Sequence, residues 1–281
     1  MPPEATPAAE LAALRCEATA IRRLILKTLN KSQAGHPGGS LSAVEILTAL
    51  YFKVMRVDPA QPNWSERDRL VLSKGHAAPV YYATLARRGY FPEAELSTHD
   101  TLNSRLQGHP DMRKTPGVDM SSGSLGQGLS VAVGIALGAK MARHNYRVFC
   151  LLGDGECQEG QVWEAAMSAP AFGLDNLTAI VDWNRLQLMA KVADVMPTLS
   201  FAGLWREMGW EVVEVDGHDL EALIWAFEAP RTPGKPRVVL AHTVKGKGVS
   251  FIEDRVEWHA KPISKEELER ALGELASGGA Q

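Results

Sequence analysis

Two apolar runs near the middle of the chain are separated by a segment with helical periodicity. Residues 148–152 and 177–181 are almost wholly apolar, as in strands that are buried on both faces of a sheet. Between them, apolar positions recur at helical spacing over 161–169. This pattern predicts a strand–helix–strand unit whose two strands lie side by side and parallel.

The rest of the hydrophobic pattern also alternates between helices and strands, which indicates an α/β fold. Helical periodicity predicts helices over 9–30, 41–54, 128–144, 199–208 and 220–229, with another beginning near 77. Ser40 is a candidate N-cap for the second of these helices. Further apolar runs predict strands that begin near 68 and cover 210–215 and 237–241. We expect a single domain over 9–275, with disordered ends at 1–8 and 276–281.

Composition and net charge argue against some classes of function but do not identify one. The chain has 281 residues, of which 45% are hydrophobic and 22% charged, and its formal charge is -3. This balance gives no electrostatic reason to expect nucleic acid or an anionic membrane as a partner. No secretion signal or membrane-spanning run is present, and three cysteines form no disulfide or metal-binding framework. We therefore expect a cytoplasmic protein.

Candidate chemistry follows the two central strands. Gly153, Asp154 and Gly155 end the first strand, and Asn184 follows the second, so both side-chain oxygens can reach one crevice. A carboxylate and an amide oxygen are hard ligands that suit Mg²⁺ or Ca²⁺ and leave positions free for a diphosphate. The glycines would let the backbone approach phosphate closely. By itself, Gly-Asp-Gly is also an ordinary turn.

The whole motif resembles the thiamine-diphosphate motif, because 28 residues (156–183) separate Gly155 from Asn184. The local sequence GDGECQEGQVWEA resembles transketolase. The resemblance implies a three-layer α/β fold, with a mostly parallel sheet and helices on both faces. It also implies thiamine diphosphate as cofactor, together with Mg²⁺ (or Ca²⁺ or Mn²⁺) held by Asp154, Asn184 and the Leu186 carbonyl.

Four histidines lie in segments that resemble transketolase: GHPGG, SKGHA, GHPDM and WHAK. The resemblance implies that His36 faces the substrate, that His109 lies over the reacting carbons, and that His76 contacts the cofactor diphosphate. It implies that His259 contacts both diphosphate and substrate. Each histidine alone is equally typical of an ordinary loop or helix cap. We expect no site role for His99, His144, His218 and His242, and a solvated loop over 242–248.

Two further segments resemble the same family. GSLGQG resembles the loop that contacts the aminopyrimidine ring, which implies cofactor contacts at Gly123, Ser124 and Leu125; a plain turn is the alternative. Glu159 resembles the glutamate that couples paired active sites, which implies a catalytic and cofactor-contacting role. A charged residue in the first turn of a helix is its ordinary interpretation. The small residues of the 128–144 helix predict a buried or subunit-facing helix.

The resemblance covers about residues 10–262 and matches only the diphosphate-binding part of a full-length transketolase. It implies the N-terminal subunit of a split transketolase, completed by a separate C-terminal subunit with the pyrimidine-binding domain, as an α2β2 assembly. Such an enzyme transfers a two-carbon ketol unit from a ketose to an aldose, or between their phosphates. The alternatives are the α-subunit of a 2-oxoacid dehydrogenase, a deoxyxylulose-phosphate synthase-like enzyme, and a non-catalytic assembly subunit.

Overall fold

A five-stranded parallel sheet forms the centre of the computed structural model, which describes residues 5–198 and 200–277. The strand order is β1-β2-β3-β5-β4, and every pairing is parallel. The strands are β1 (Arg69–Leu72), β2 (Val148–Gly153), β3 (Leu177–Trp183), β4 (Glu211–Asp216) and β5 (Arg237–His242). The predicted pairing of the two central strands is confirmed, with Gly153 opposite Asp182.

Helices cover both faces of this sheet. They are α1 (Ala8–Ser32), α2 (Pro37–Leu41), α3 (Val44–Ala49), α4 (Ala78–Arg88), α5 (Gly128–Ala142), α6 (Gly160–Ala171), α7 (Val192–Val195), α8 (Phe201–Glu207), α9 (Leu220–Glu228) and α10 (Lys265–Ser277). Short 3₁₀ turns lie at Gly75–Ala77, Glu93–Thr98, Gly155–Gln158 and Val256–Trp258. Across the described ranges, no helix combines the length and the apolar character that a membrane span requires.

The strand side chains divide into two cores, which gives the three-layer arrangement. In β2, Phe149 and Leu151 pack with α1, α3, α4 and α9, whereas Cys150 and Leu152 pack with α5, α6 and α8. This alternation follows from the two-residue period of a strand. Because both faces are covered, the central strands are apolar throughout, which is why their sequences show no polar alternation. The expected α/β fold is confirmed.

The predicted 41–54 helix is wrong in its continuity. The chain instead forms α2, then α3, then a π-helical turn at Leu50–Val54. His36 occupies the N-cap position, and Pro37 begins α2, where its missing N–H costs no hydrogen bond. Ser40 therefore lies inside α2 and is buried, so it is not the cap.

Helix α10 was not predicted, although the sequence contains its start signal. The Ser264 hydroxyl accepts a hydrogen bond from the Glu267 N–H, and the Glu267 carboxylate accepts one from the Ser264 N–H. This reciprocal pair is a capping box. Ala271 and Leu275 of α10 join the core beside α1. Residues 5–7 precede α1 and Ser277 ends α10, whereas the predicted disorder at 1–4 and 278–281 lies outside the described residues.

Candidate active site

Asp154 and Asn184 lie at the carboxyl ends of the neighbouring strands β2 and β3, and both are buried. The Asp154 carboxylate accepts hydrogen bonds from the backbone N–H groups of Gly155 (2.8 Å) and Arg185. Because Arg185 directly follows Asn184, the second bond ties the two strand ends together. The Asn184 Oδ1 atom accepts from the Leu186 N–H at 3.1 Å.

The oxygen atoms at these strand ends suit a divalent cation. Burial, followed by the charge of Asp182, raises the pKa of Asp154 to about 7, so its negative charge lacks full compensation within the protein. The Asp154 carboxylate, the Asn184 amide and the Leu186 carbonyl together offer hard ligands. The described residues contain no cluster of three or more His, Cys, Asp or Glu side chains placed for a metal. The predicted set, with its single carboxylate, does not require one.

Asp182 joins four segments beneath this edge of the sheet. It is fully buried, and its carboxylate accepts hydrogen bonds from Lys74, Thr243, Ser42 (2.6 Å) and Asn184 (3.2 Å). Burial alone would raise the pKa of Asp182, but the charge of Lys74 and its hydrogen bond outweigh burial and keep that pKa below its usual value. The ionised carboxylate thereby fixes the chain on either side of the site.

Three of the four predicted histidines form one cluster. The ring centroids of His36, His76 and His259 are 5.1 to 5.5 Å apart. Burial, assisted mainly by His109, lowers the pKa of His36 to about 4; burial and the Lys245 ammonium lower that of His259 to about 3. Burial, followed by the Lys74 charge, also lowers the pKa of His76. All three imidazoles are therefore neutral near pH 7.

Lys245 is a site residue that the sequence interpretation missed. The solvated loop predicted over 242–248 is wrong, because Lys245 is only 1% exposed. Its Nζ donates to the Leu186 carbonyl at 3.0 Å and lies 2.9 Å from the His259 Nδ1. Burial, followed by the charge of Lys74, lowers the pKa of Lys245 to about 8. A usable signal existed, since this residue follows β5, whose carboxyl end lies beside that of β3.

His109 and the predicted pyrimidine loop lie at the rim of the site. His109 is exposed, and its Cδ2 would be 3.2 Å from a Cβ placed on Gly123. Ser124 and Leu125 are exposed as well. A Cβ placed on Gly75 would be only 2.7 Å from the Gly123 nitrogen, so the turn after β1 packs directly on this loop.

Two glutamates near the Gly153 turn have different environments. Glu159 is exposed at the N-terminus of α6, where its Cβ would be 2.7 Å from a Cβ placed on Gly126. Glu156, which the sequence interpretation passed over, is buried and accepts from the Ser73 hydroxyl and from the Gly126 and Gly153 N–H groups. Burial raises the pKa of Glu156. This side chain fixes the turn that presents Asp154.

Four histidines do not belong to the three-imidazole cluster or to the rim, although His99 packs beside Gly35, next to His36. His144 pairs with Glu66 near the amino end of β2, and His242 stacks on Trp183 with ring centroids 4.6 Å apart. His99 is buried, and neither ring nitrogen has a hydrogen-bond partner among residues 5–198 and 200–277. His218, for which we expected no role, bonds to Glu45 and to the segment that carries Lys245.

Comparison with known proteins identifies the family of this chain. Residues 15–276 match the family described as "Transketolase, thiamine diphosphate binding domain". The chain belongs to the transketolase family. It is 45% identical to a 6-deoxy-6-sulfo-D-fructose transketolase subunit from Clostridium sp. (strain MSTE9), over 95% of this chain and 98% of the relative. It is 46% identical to one subunit of the apulose-4-phosphate transketolase from Actinobacillus succinogenes, over 93% and 95%.

Single-chain transketolases match over a smaller part of their length. The human transketolase is 40% identical over 95% of this chain but only 43% of its own. The crystal structure of the Campylobacter jejuni transketolase superposes with a TM-score of 0.88 at 31% identity, over 94% of this chain and 42% of that one. This transketolase domain therefore spans about two-fifths of the solved transketolase chains that it matches.

Proposed function

We propose that this chain is the thiamine-diphosphate-binding, N-terminal subunit of a split transketolase. With a separate subunit that carries the pyrimidine-binding domain, it would transfer a two-carbon ketol unit from a ketose, or its phosphate, to an aldose. The observation that carries the proposal is that Lys245 joins the two halves of the site, since its Nζ donates to the Leu186 carbonyl beside Asn184 and lies 2.9 Å from His259 of the three-imidazole cluster. The similarity to separate transketolase subunits over nearly their whole length supports the split arrangement.

In this proposal, Asp154, Asn184 and the Leu186 carbonyl hold Mg²⁺, and His76 and Lys245 bind the diphosphate. The burial of Lys245 supports the assignment, because charge-assisted hydrogen bonds to an anion are strongest where water is excluded. Gly153, Gly155, Gly123, Ser124 and Leu125 would contact the cofactor mainly through the backbone. Thiamine diphosphate, when bound, supplies the nucleophilic carbon and the electron sink.

The histidines would orient the sugar and move protons. An imidazole can accept a proton from a substrate hydroxyl and return it, which suits His36, His109 and His259 to general acid–base work. Glu159 lies at the exposed rim, where a second protein chain could contact it, and we assign it a role in coupling paired sites. An α2β2 assembly in the cytoplasm, acting in pentose-phosphate or related carbohydrate metabolism, completes the proposal; the free cysteines agree with a reducing compartment.

The decisive test is reconstitution. The purified chain with thiamine diphosphate and Mg²⁺ should give negligible ketol transfer, because the half of the cofactor site that the pyrimidine-domain subunit supplies is missing. Adding that subunit should start the transfer. Transfer is measured as aldose-dependent consumption of a ketose phosphate donor. Full turnover by the chain alone would overturn the split arrangement.

A second experiment tests whether this chain contributes to catalysis. The His109→Ala variant of the reconstituted complex should lose most of its activity. If the chain were a non-catalytic assembly subunit, the variant complex would keep its activity.

A further inference from the structure

The segment 243–247, which carries Lys245, is hydrogen-bonded at every residue to a different part of the fold. Two of these contacts reach Asp182 and Leu186 at the end of β3, and the other three are made by backbone atoms of the segment. The donors and acceptors are Thr243 Oγ1 to Asp182, Val244 N–H to His218 Nε2 (2.8 Å), Lys245 Nζ to the Leu186 carbonyl (3.0 Å), Gly246 N–H to the Gly38 carbonyl (3.0 Å), and Arg22 Nε to the Lys247 carbonyl (3.0 Å).

His218 contacts this segment through one defined tautomer. It lies in the turn between β4 and α9, 173 residues from Glu45 along the chain, and its Nδ1 is 2.9 Å from the Glu45 carboxylate. Because Nε2 accepts the Val244 N–H, that nitrogen carries no hydrogen. The hydrogen is therefore on Nδ1, where it is donated to Glu45. The neutral ring satisfies both partners at once.

Glu45 is in turn fixed by Arg22. Two ion-pair contacts of 2.6 and 2.7 Å join the Arg22 guanidinium to the Glu45 carboxylate, and both side chains are less than a tenth exposed. Burial would raise the pKa of Glu45, but the Arg22 charge and the His218 hydrogen bond outweigh it and hold that pKa at about 2. A paired carboxylate of this kind keeps the orientation of an imidazole that donates to it.

We propose that His218 is a positioning residue of the active site, which holds Val244 and thereby sets the Lys245 ammonium beside the Leu186 carbonyl and His259. The Arg22–Glu45 pair orients His218 and, through the Lys247 carbonyl, fixes the other end of the segment. Gly246 and Gly248, the latter directly after the segment, have φ of 82° and 93°, which residues with side chains rarely adopt. Because glycine constrains the backbone least, the hydrogen bonds of the segment to the rest of the fold fix the position of the Lys245 ammonium. The inference rests on the proposed function in one respect, the identity of the bound ligand as thiamine diphosphate.

Three substitutions separate the two hydrogen bonds of the ring. His218→Phe removes both, His218→Asn can keep the bond to Glu45 but cannot reach Val244, and His218→Gln can place an acceptor near the Nε2 position. Amide hydrogen exchange of the 243–248 peptide in the full chain reports the Val244 contact directly. We expect exchange about tenfold faster in the Phe and Asn variants and close to the parent in the Gln variant.

Cofactor affinity gives the second readout. In the reconstituted complex, we expect the Phe and Asn variants to bind thiamine diphosphate about tenfold more weakly, with affinity restored in the Gln variant. His144→Phe, which removes another glutamate-paired histidine far from the site, is the matched control and should match the parent. Circular dichroism and the melting temperature check that each variant is folded.

Unchanged exchange and affinity in His218→Phe would overturn the proposal. Equal losses in the Gln and Asn variants would do so as well, because ring shape rather than the Nε2 acceptor would then matter. The hydrogen-exchange arm needs neither cofactor nor partner. Absence of ketol transfer in the parent complex would therefore refute the proposed function. The exchange measurement would still test whether His218 holds Val244.

Discussion

At the residue scale, the ionisable groups at the carboxyl edge of the sheet carry pKa shifts of two opposite kinds, one that a cation would relieve and one that an anion would relieve. The pKa of Asp154 is raised to about 7, which marks a negative charge that a cation would stabilise. The pKa values of His36 and His259 are lowered to about 4 and 3, which marks sites where an anion would favour protonation. A divalent cation bound to a diphosphate would relieve both kinds of shift at once.

Asp154→Ala should abolish the metal dependence of cofactor binding, because it removes the one carboxylate in the proposed Mg²⁺ site. Thiamine-diphosphate affinity, titrated in the reconstituted complex with Mg²⁺ and with a chelator, should become the same in both conditions. Glu207→Ala, which removes an exposed carboxylate on α8, should keep the parent's metal dependence. A metal effect that persists in Asp154→Ala would exclude this carboxylate as a ligand.

His76→Ala should weaken cofactor affinity by roughly 1.5–3 kcal/mol, because one charge-assisted hydrogen bond to the diphosphate is lost. Isothermal titration of the reconstituted complex measures the change. His144→Ala, at the opposite end of the sheet, serves as the control and should leave affinity unchanged. A similar loss in both variants would point to a general effect on folding instead of a diphosphate contact.

At the element scale, the site is assembled from loops that touch through glycines. The turn after β1 approaches the loop before α5 so closely that a Cβ on Gly75 would be 2.7 Å from the Gly123 nitrogen and 2.8 Å from the Ser122 carbonyl carbon. Both neighbours are backbone atoms, which cannot rotate away as a side chain can. The short distance therefore fixes the loop proposed to contact the aminopyrimidine ring.

Gly75→Ala should displace the 122–125 loop, lower the free energy of unfolding by roughly 1–3 kcal/mol, and weaken cofactor binding. Gly273→Ala is a suitable comparison, since this α10 position has nothing within 4 Å of its added Cβ among the described residues. That change should raise the free energy of unfolding by about 0.5–1 kcal/mol through helix propensity. Urea unfolding measures both, and a neutral Gly75→Ala would contradict the packing argument.

Helix α5 is small-residue-rich for two reasons. Ala132, Ala136 and Ala139 are buried against the sheet, whereas Gly134 and Gly138 face outward with nothing in the described ranges within 4 Å. The first set explains close packing within the domain. The second leaves a surface that another helix could approach, and the subunit-facing part of the expectation stays a prediction.

At the scale of the whole molecule, the neutral histidine cluster should make stability fall in acid. The unfolded chain binds protons on these histidines near pH 6.5, whereas the folded chain does so only near pH 4 for His36 and near pH 3 for His259. The raised pKa values of Asp154 and Glu156 act in the opposite direction, because these two carboxylates take up protons more readily in the folded state. The three histidines outnumber them, so the unfolded state holds more protons and the free energy of unfolding decreases as pH falls from 6.5. Loss of the Glu45 pairing follows at lower pH, between 4.5 and about 2.

Urea unfolding between about pH 7.5 and 4.5 should therefore show a steady decline, and His36→Gln should make it shallower. Saturating inorganic pyrophosphate should also make it shallower, because a bound anion lets the folded imidazoles take up protons. A decline that begins only below pH 4.5 would contradict the assignment of neutral, half-buried imidazoles. A pyrophosphate effect at neutral pH alone would contradict their role in anion binding.

The rim of the site is exposed on the surface of the molecule, in contrast to the interior of the site. His109, Ser124, Leu125 and Glu159 are exposed, although all four are predicted to contact cofactor or substrate. Their neighbours Asp154, Asn184 and Lys245 are buried. A site that is closed on one side and open on the other agrees with our proposal that a second domain covers the rim.

The α/β fold, the parallel pairing of β2 and β3, and the convergence of Asp154 with Asn184 could all be predicted from the order of residues along the chain. These follow from local hydrophobic periodicity and from the rule that parallel strands present their carboxyl ends at one edge. The sequence also contained the capping box of α10, although that signal was overlooked. Short-range patterns thus account for the elements and for residues placed directly at strand ends.

The environment of each ionisable group could be read only from the folded protein. Lys245 appeared to belong to a solvated loop, yet its ammonium is buried against Leu186, 59 residues away along the chain. Lys74 meets Asp182 across 108 residues, and His218 meets Glu45 across 173. Burial and hydrogen-bond partners depend on contacts between segments distant in sequence. The position of Lys245 after β5 indicated that it lies near the site, but its burial and its partners, and hence its protonation, follow only from the packed fold.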